Sequence, residues 1–219
     1  MFKRGRLPNN LWDHQRDAIE FLIGRLNAKS ETNTCVVRMP TGTGKTGVIA
    51  WISMMSHEGK TLVLTPWTNL RDQMITDLTE DFWQKSGIPA PKLSVRSLLP
   101  SSVDKILADP AIKVIVSSLA ALTDLRRDDP DSYEAIKNLI DLVIVDEGHY
   151  EPAVEWGKSV KKLEKPTVLM TATPYRNDLK LFRISAPEES VWQFHHDPAQ
   201  TPGVIRALEF HSLGSSANL

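Results

Sequence analysis

The stretch of sequence that decides the fold is Met39-Pro40-Thr41-Gly42-Thr43-Gly44-Lys45-Thr46. An apolar run at residues 35–37 precedes it, and a run typical of a helix follows at residues 47–54. A strand, a glycine-bearing loop, a Lys-Thr pair and a helix, in that order, are the layout of a phosphate-binding P-loop. The order therefore predicts a phosphate site at the end of the first core strand.

The residue types in this stretch suit the binding of a nucleotide. Its glycines allow the backbone to curl so that successive N–H groups point at phosphate oxygens, and the N-terminus of the next helix adds positive potential. Lys45 can reach the terminal phosphates, and the Thr46 hydroxyl can bind Mg²⁺. The residues predicted to bind nucleotide here are Thr41, Gly42, Thr43, Gly44, Lys45 and Thr46.

The composition is that of an ordinary globular protein. Of 219 residues, 41% are hydrophobic and 24% are charged, which suits one large domain or two small ones. The net charge of −1 gives no global attraction to nucleic acid, so such binding requires a local patch. The single cysteine, Cys35, excludes an internal disulfide framework, and the basic N-terminus lacks the apolar core of a signal peptide. We therefore expect a cytoplasmic protein.

Apolar runs alternate with helix-like segments along the chain. Five continuous apolar runs are typical of strands buried on both faces, which indicates a parallel sheet covered by helices. They lie at residues 35–39, 61–65, 113–117, 142–145 and 168–170. A further strand is expected at residues 93–97, and helices at 69–83 and 103–107. The predicted class is α/β, with ligands bound beyond the carboxyl ends of the strands.

Two other segments have their own predicted structure. Asn10 is expected to cap a helix that runs to Asn27, with Gln15 near its start. The glutamine amide matches the N6 and N7 edge of adenine, although a solvated polar face is the simpler interpretation of this residue alone. The charged run at residues 126–131, which contains Pro130, is expected to be a surface loop.

The strand at residues 142–145 ends in two acids, Asp146 and Glu147. Beside a P-loop, Asp146 can hold Mg²⁺ through its water shell, and Glu147 can orient and deprotonate an attacking water. A base positioned for water favours an ATPase over a kinase. His149 is placed to bridge this segment to Thr171 and Thr173 at the next strand end.

The order of these segments resembles that of superfamily 2 helicases of the DEAD/DEAH-box type. Met39 stands where a strict P-loop pattern has glycine, but residues 41–46 match the helicase form of motif I. Gln15 resembles the Q motif. The segments similar to motifs II and III are Asp146-Glu147-Gly148-His149, with Gly148 in place of alanine, and Thr171-Ala172-Thr173. The run Thr173-Pro174-Tyr175-Arg176 is similar to the ending seen in helicase subunits of type I and type III restriction enzymes.

This resemblance, which covers residues 11–211, implies a three-layer RecA-like P-loop domain with a mainly parallel central sheet. It implies that Gln15 recognises adenine and that Lys45, Thr46, Asp146 and Glu147 bind and hydrolyse ATP with Mg²⁺. The residues implied in coupling the nucleotide state to movement are His149, Thr171 and Thr173. The residues implied in tracking a phosphate backbone, of DNA rather than RNA, are Thr65, Pro66, Arg71 and Ser117.

The resemblance also implies a division of the chain. Residues 1–10 are a lead-in, residues 11–185 the helicase ATP-binding domain, and residues 186–219 an exit strand and linker toward a second RecA-like domain. That second domain, or a partner subunit, would supply an arginine finger, which is worth roughly 10³–10⁵ in rate. We therefore expect this chain to bind ATP and to hydrolyse it slowly alone. A role in restriction or phage defence follows only from the likeness to restriction enzymes.

Three other interpretations are weighed against this one. A nucleotide-dependent interaction module without catalysis is the main alternative, favoured by the missing second domain and disfavoured by the Asp146-Glu147 pair. A small-molecule phosphotransferase is disfavoured by Glu147. A metal site at His195 and His196 is disfavoured because adjacent side chains on a strand point to opposite faces.

Overall fold

The computed structural model describes residues 7–28, 34–55, 59–91, 94–146, 154–172 and 188–194. Within these ranges the chain forms seven strands and eight α-helices. The strands are β1 (Thr34–Arg38), β2 (Lys60–Thr65), β3 (Ser94–Ser97), β4 (Ile112–Ser118), β5 (Ile140–Val145), β6 (Thr167–Thr171) and β7 (Val191–Gln193). The helices are α1 (Asp13–Asn27), α2 (Lys45–Met55), α3 (Thr68–Thr76), α4 (Phe82–Ser86), α5 (Val103–Ala108), α6 (Leu119–Asp128), α7 (Pro130–Leu139) and α8 (Val154–Lys162).

The strands form one sheet in the order β3-β4-β2-β5-β6-β1-β7, and every described pair is parallel. The five predicted core strands and the further strand predicted at residues 93–97 are confirmed to within two residues at each end. These strands are runs of Val, Ile and Leu because a strand covered by helices on both faces must be apolar on both. The register aligns the carboxyl ends, with Arg38 beside Thr171 and Leu64 beside Val145.

The side chains of alternate strand residues point into two separate apolar cores, one on each face of the sheet. Cys35 and Val37 of β1 point into the core that contains α1, α2, α3 and α4, whereas Val36 points into the core that contains α5 to α8. The period of two follows from the pleat of the strand. The result is a three-layer α/β domain, as the sequence predicts.

Cys35 behaves as a small core side chain. It is buried, and this burial raises the pKa of its thiol to about 11. The thiol therefore stays protonated and unreactive at neutral pH. None of the described helices is long and apolar enough to cross a lipid bilayer.

Two predictions about local structure are wrong. Helix α1 begins at Asp13 with Trp12 as its N-cap residue, and the side chain of Asn10 instead donates to the carbonyl oxygen of Ser86 at 2.9 Å. Asn10 contacts the end of α4 instead of capping α1, and the side-chain oxygen of Gln15 accepts from the backbone N–H of Trp12 at the start of the helix.

The charged run at residues 126–131 is not a loop. It contains the last turn of α6 and the first turn of α7, with Asp129 between them. The Asp129 side chain accepts from the N–H of Ser132, and Pro130 takes the first helical position, where its missing N–H costs nothing. The proline thus starts a helix rather than marking a loop.

The helix predicted at residues 69–83 is longer and contains an irregular turn. It runs from Thr68 to Ser86 through a π-helical segment, Asp77–Asp81, that joins α3 to α4. Beyond that turn, the Phe82 ring lies against Gly47 in the first turn of α2, because a Cβ built on Gly47 would be 2.8 Å from the ring. One continuous helical segment therefore extends from the end of β2 to the helix that follows the P-loop.

Candidate functional site

The predicted site residues lie at the carboxyl ends of three neighbouring strands. The P-loop follows β1, Thr171 ends β6, and Asp146 follows β5. Since neighbouring strands lie about 4.8 Å apart, the ends of β1 and β5 are roughly 10 Å apart. The N–H of Met39 donates to the carbonyl oxygen of Thr171 at 2.9 Å, which ties the base of the P-loop to β6. The position is the one where ligands bind in parallel α/β sheets.

The P-loop backbone takes a conformation that glycine allows. Gly42 has φ +83° and Gly44 has φ +77°, both in the left-handed region that other residues rarely adopt. Between them, the buried Thr43 donates its hydroxyl to the carbonyl oxygen of Pro40 at 2.7 Å. Nothing lies within 4 Å of a Cβ built on Gly42, so the loop faces open space there. This curled, open shape suits a phosphate group.

Two side chains of α1 hold the carbonyl groups of this loop. The Nε2 atom of His14 lies 2.8 Å from the carbonyl oxygen of Thr43, and the Nε2 atom of Gln15 donates to that of Gly44 at 2.8 Å. In a trans peptide, the N–H of the next residue points opposite to the carbonyl. The N–H groups of Gly44 and Lys45 therefore point away from α1.

Gln15 is almost fully buried at this point, with 6% of its surface exposed. Its amide oxygen accepts from the N–H of Trp12 at 2.9 Å while its amide nitrogen donates to Gly44. Each end of an amide can make a second hydrogen bond, so contact with adenine remains chemically available to it. Gln15 thus links the P-loop to the start of α1, a role that its sequence position did not indicate.

The charged groups of the site are Lys45 and Asp146. Lys45 begins α2, and its Nζ atom lies 3.4 Å from the carbonyl oxygen of Met39, across the loop. The backbone N–H of Asp146 donates to the carbonyl oxygen of Leu64 at 2.8 Å, which fixes the position of this residue. The Oδ1 atom of its side chain is buried. A carboxylate oxygen and a threonine hydroxyl, as Asp146 and Thr46 offer, are oxygen ligands of the kind that Mg²⁺ takes. Glu147, His149 and Thr173 lie outside the described residues.

The residues expected at a nucleic-acid backbone lie at the carboxyl ends of β2 and β4, but most are buried. The Thr65 hydroxyl donates to the carbonyl oxygen of Trp67 at 3.1 Å, and that of Ser117 to the carbonyl oxygen of Ser118 at 3.2 Å. Both residues are fully buried, and Pro66 is buried as well. Arg71 forms an ion pair with Asp72 at 2.7 Å. Thr65 and Ser117 thus shape the strand ends, and their hydroxyls do not face solvent.

The solvent-facing groups at this edge are those of the next residues along the chain. Trp67 is 46% exposed, and Thr68 and Asn69 at the start of α3 are also exposed. The sequence places Trp67 directly after Thr65-Pro66 but gives no reason to prefer it over Thr65 as a contact residue. Only burial in the folded chain separates the two. His14 and Trp12 were missed as site residues; their one signal was adjacency to Gln15.

Comparison with known proteins gives a family match over most of the chain. Residues 9–176 match the family described as type III restriction enzyme, res subunit. A comparison with curated proteins finds no match.

Three solved structures have a similar fold. The UvsW helicase from bacteriophage T4 is 15% identical with a TM-score of 0.58, covering 88% of this chain and 63% of that chain. The DUF1998 helicase MrfA bound to DNA and AMPPNP is 14% identical with a TM-score of 0.56, covering 89% and 30%. A nuclease-deletion mutant of the type ISP restriction-modification enzyme LlaGI, in complex with a DNA substrate mimic, is 20% identical with a TM-score of 0.55, covering 88% and 20%.

These likenesses establish the fold. They confirm the expected RecA-like fold, and the family match over residues 9–176 confirms the resemblance to restriction-type superfamily 2 helicases. The chain spans less than two thirds of the length of each of these three proteins.

Proposed function

This chain belongs to the family of type III restriction enzyme res subunits, and we propose that it binds and hydrolyses ATP to drive movement along DNA. The observation that carries the proposal is the P-loop. Its carbonyl groups are held by α1, so the N–H groups of Gly44 and Lys45 point away from that helix. Lys45 begins α2 at the same point, and Asp146 ends a strand two positions away in the sheet.

The proposed division of roles follows from these positions. Lys45 and the loop N–H groups bind the phosphates, and the residues that would hold Mg²⁺ are Thr46 and Asp146. When bound, this ion neutralises charge on the phosphates. Glu147 orients the attacking water and accepts its proton, and Gln15 uses the remaining capacity of its amide for adenine. Thr171, bonded to Met39, together with His149 and Thr173, communicates the nucleotide state to the neighbouring strand ends.

DNA binding is assigned to the carboxyl ends of β2 and β4. Thr65, Pro66 and Ser117 shape this edge from inside, and the exposed Trp67, Thr68 and Asn69 make the contacts. Of the similar structures, MrfA is bound to DNA and LlaGI is in complex with a DNA substrate mimic. We transfer this ligand class to the present chain as part of the proposal.

Rapid hydrolysis is proposed to need more than residues 11–185. In this proposal, residues 186–219 lead toward a second RecA-like domain or partner subunit, whose arginine completes the ATP site. Strand β7 lies in that stretch and pairs with β1 in the same sheet. The chain alone is then a slow ATPase. A cytoplasmic role in restriction or phage defence is the corresponding biological proposal.

The test is nucleotide binding and ATP hydrolysis with and without single- and double-stranded DNA. We expect the wild-type chain to bind ATP. Lys45→Ala should bind ATP about tenfold more weakly or worse, because it loses at least one charge-assisted contact to the phosphates. Glu147→Gln, which keeps the size of the side chain, should bind ATP and lose the slow hydrolysis. Absence of ATP binding would sink the proposal. Binding without any hydrolysis in wild type would instead favour a nucleotide-dependent interaction module.

A further inference from the structure

A buried histidine that no predicted role uses lies directly behind the P-loop. His14 is 7% exposed, and its Nε2 atom lies 2.8 Å from the carbonyl oxygen of Thr43. A carbonyl oxygen can only accept a hydrogen bond, so the Nε2 atom must carry the hydrogen. His14 is therefore a donor to the nucleotide loop from 29 residues earlier in the chain.

The imidazole ring is fixed in place by two aromatic neighbours. Its centroid is 4.4 Å from that of Phe194, with the ring planes at 40°, and 5.4 Å from that of Trp12. Phe194 follows β7, and its N–H donates to the carbonyl oxygen of Arg38 at 2.9 Å. This bond puts Phe194 beside the last residue of β1, where the P-loop begins. Three segments that are distant in sequence thus meet at His14.

The contact matters because the acceptor has no access to water. Thr43 is fully buried, so without a donor its carbonyl group would be desolvated at a cost. Rotation of the peptide between Thr43 and Gly44 could relieve that cost by turning the carbonyl elsewhere. The same rotation would turn the N–H of Gly44 away from its present direction. The hydrogen bond from His14 opposes that rotation.

We propose that His14 is a positioning residue that fixes the P-loop in its phosphate-binding shape, with Phe194 holding the imidazole ring in register. Its consequence for ATP rests on the proposed function, whereas its effect on the loop does not. His14 contacts the loop backbone and is not proposed to touch the nucleotide. It acts through the Thr43 carbonyl, and Phe194 makes the position of the ring depend on β7.

The matched variants separate the hydrogen bond from the ring. His14→Phe keeps an aromatic ring against Phe194 and removes the donor. His14→Gln keeps an N–H donor at a similar reach and removes the ring. Phe194→Leu keeps apolar bulk and removes the ring contact. Circular dichroism and thermal unfolding of each variant establish that it is folded before any comparison.

The first measurement is amide hydrogen exchange in residues 39–47, made without nucleotide. Loss of a buried hydrogen bond should speed exchange in this stretch about tenfold in His14→Phe, with most of the protection restored in His14→Gln. The exchange rate in Phe194→Leu should lie between the rates in His14→Phe and His14→Gln. Unchanged exchange in a folded His14→Phe variant would overturn the proposal. Equal loss in His14→Phe and His14→Gln would also overturn it, because the N–H donor retained in His14→Gln would then give the loop no protection.

The second measurement is affinity for ADP and AMPPNP by calorimetry. We expect His14→Phe to bind about tenfold more weakly than wild type and His14→Gln to recover most of the loss. Wild-type affinity in His14→Phe would contradict a positioning role. If the wild-type chain binds neither nucleotide, the proposed function fails, and the exchange measurement still decides whether His14 fixes the loop.

Discussion

At the scale of single residues, the P-loop depends on two glycines whose surroundings differ. Both have positive φ, so both impose a left-handed backbone on any replacement. Gly42 faces open space, whereas a Cβ on Gly44 would overlap the Nε2 atom of Gln15. A substitution at Gly42 therefore tests backbone strain alone, whereas one at Gly44 tests backbone strain together with steric contact.

Gly42→Ala and Gly44→Ala are expected to differ in free energy of unfolding. Strain alone should cost Gly42→Ala about 1–2 kcal/mol. Gly44→Ala should cost about 1 kcal/mol more, because the methyl group displaces Gln15 and breaks its bond to the Gly44 carbonyl. Urea unfolding of both variants measures the difference. Equal costs would show that Gln15 moves aside freely and does not hold the loop.

At the scale of elements, the helical segment from Thr68 to Ser86 connects two parts of the candidate site. Its start follows Trp67 at the proposed DNA edge, and Phe82 near its end packs on Gly47. Gly47 permits this because it has no side chain in the first turn of α2. The π-helical turn Asp77–Asp81 lies between the two contacts and shifts the helix face that follows it.

Gly47→Ala tests how tightly these elements pack. An added Cβ would be 2.6 Å from Gln15 Nε2 and 2.8 Å from the Phe82 ring, so both contacts must shift. We expect a net loss of about 1–3 kcal/mol in free energy of unfolding, despite the better helix propensity of alanine.

The matched control is Phe82→Leu, alone and combined with Gly47→Ala. If the ring is the obstacle, the double variant should be more stable than the sum of the two single effects predicts. Additive effects would show instead that α4 and α2 do not restrain each other at this point.

At the scale of the whole molecule, the strand order separates the proposed ATP site from the proposed DNA contacts, and both lie at the same edge of the sheet. The P-loop follows β1, and Trp67 follows β2, three positions away in the strand order. Both lie beyond carboxyl ends because all described strand pairs are parallel. A ligand along this edge could therefore contact several strand ends at once.

Trp67→Ala should weaken binding of single-stranded DNA about tenfold, the loss of one stacked base, and should weaken duplex binding less. Trp67→Phe, which keeps an aromatic face, should retain most of the affinity. Fluorescence anisotropy with labelled oligonucleotides at fixed salt measures both. An equal loss for single strands and duplexes would rule out base stacking as the function of this residue.

The sequence by itself determined the features that local patterns encode. Continuous apolar runs fix which segments are buried strands, and the spacing of glycine, lysine and threonine after the first one fixes the P-loop. The strand predictions are confirmed, and the glycine-bearing loop lies between β1 and α2 as predicted, because each depends on residues that are neighbours in the chain. The same logic failed at Pro130, where a proline and an aspartate begin a helix as readily as they mark a loop.

Only the tertiary structure decided which side chains serve the site. His14 and Gln15 bond the P-loop from another helix, Phe194 reaches His14 from the edge strand, and burial removes Thr65 and Ser117 from the surface. No local pattern contains these contacts, because they depend on strand order and register. The order places β7 beside β1 and β2 beside β4, and packing against the sheet then sets which atoms meet.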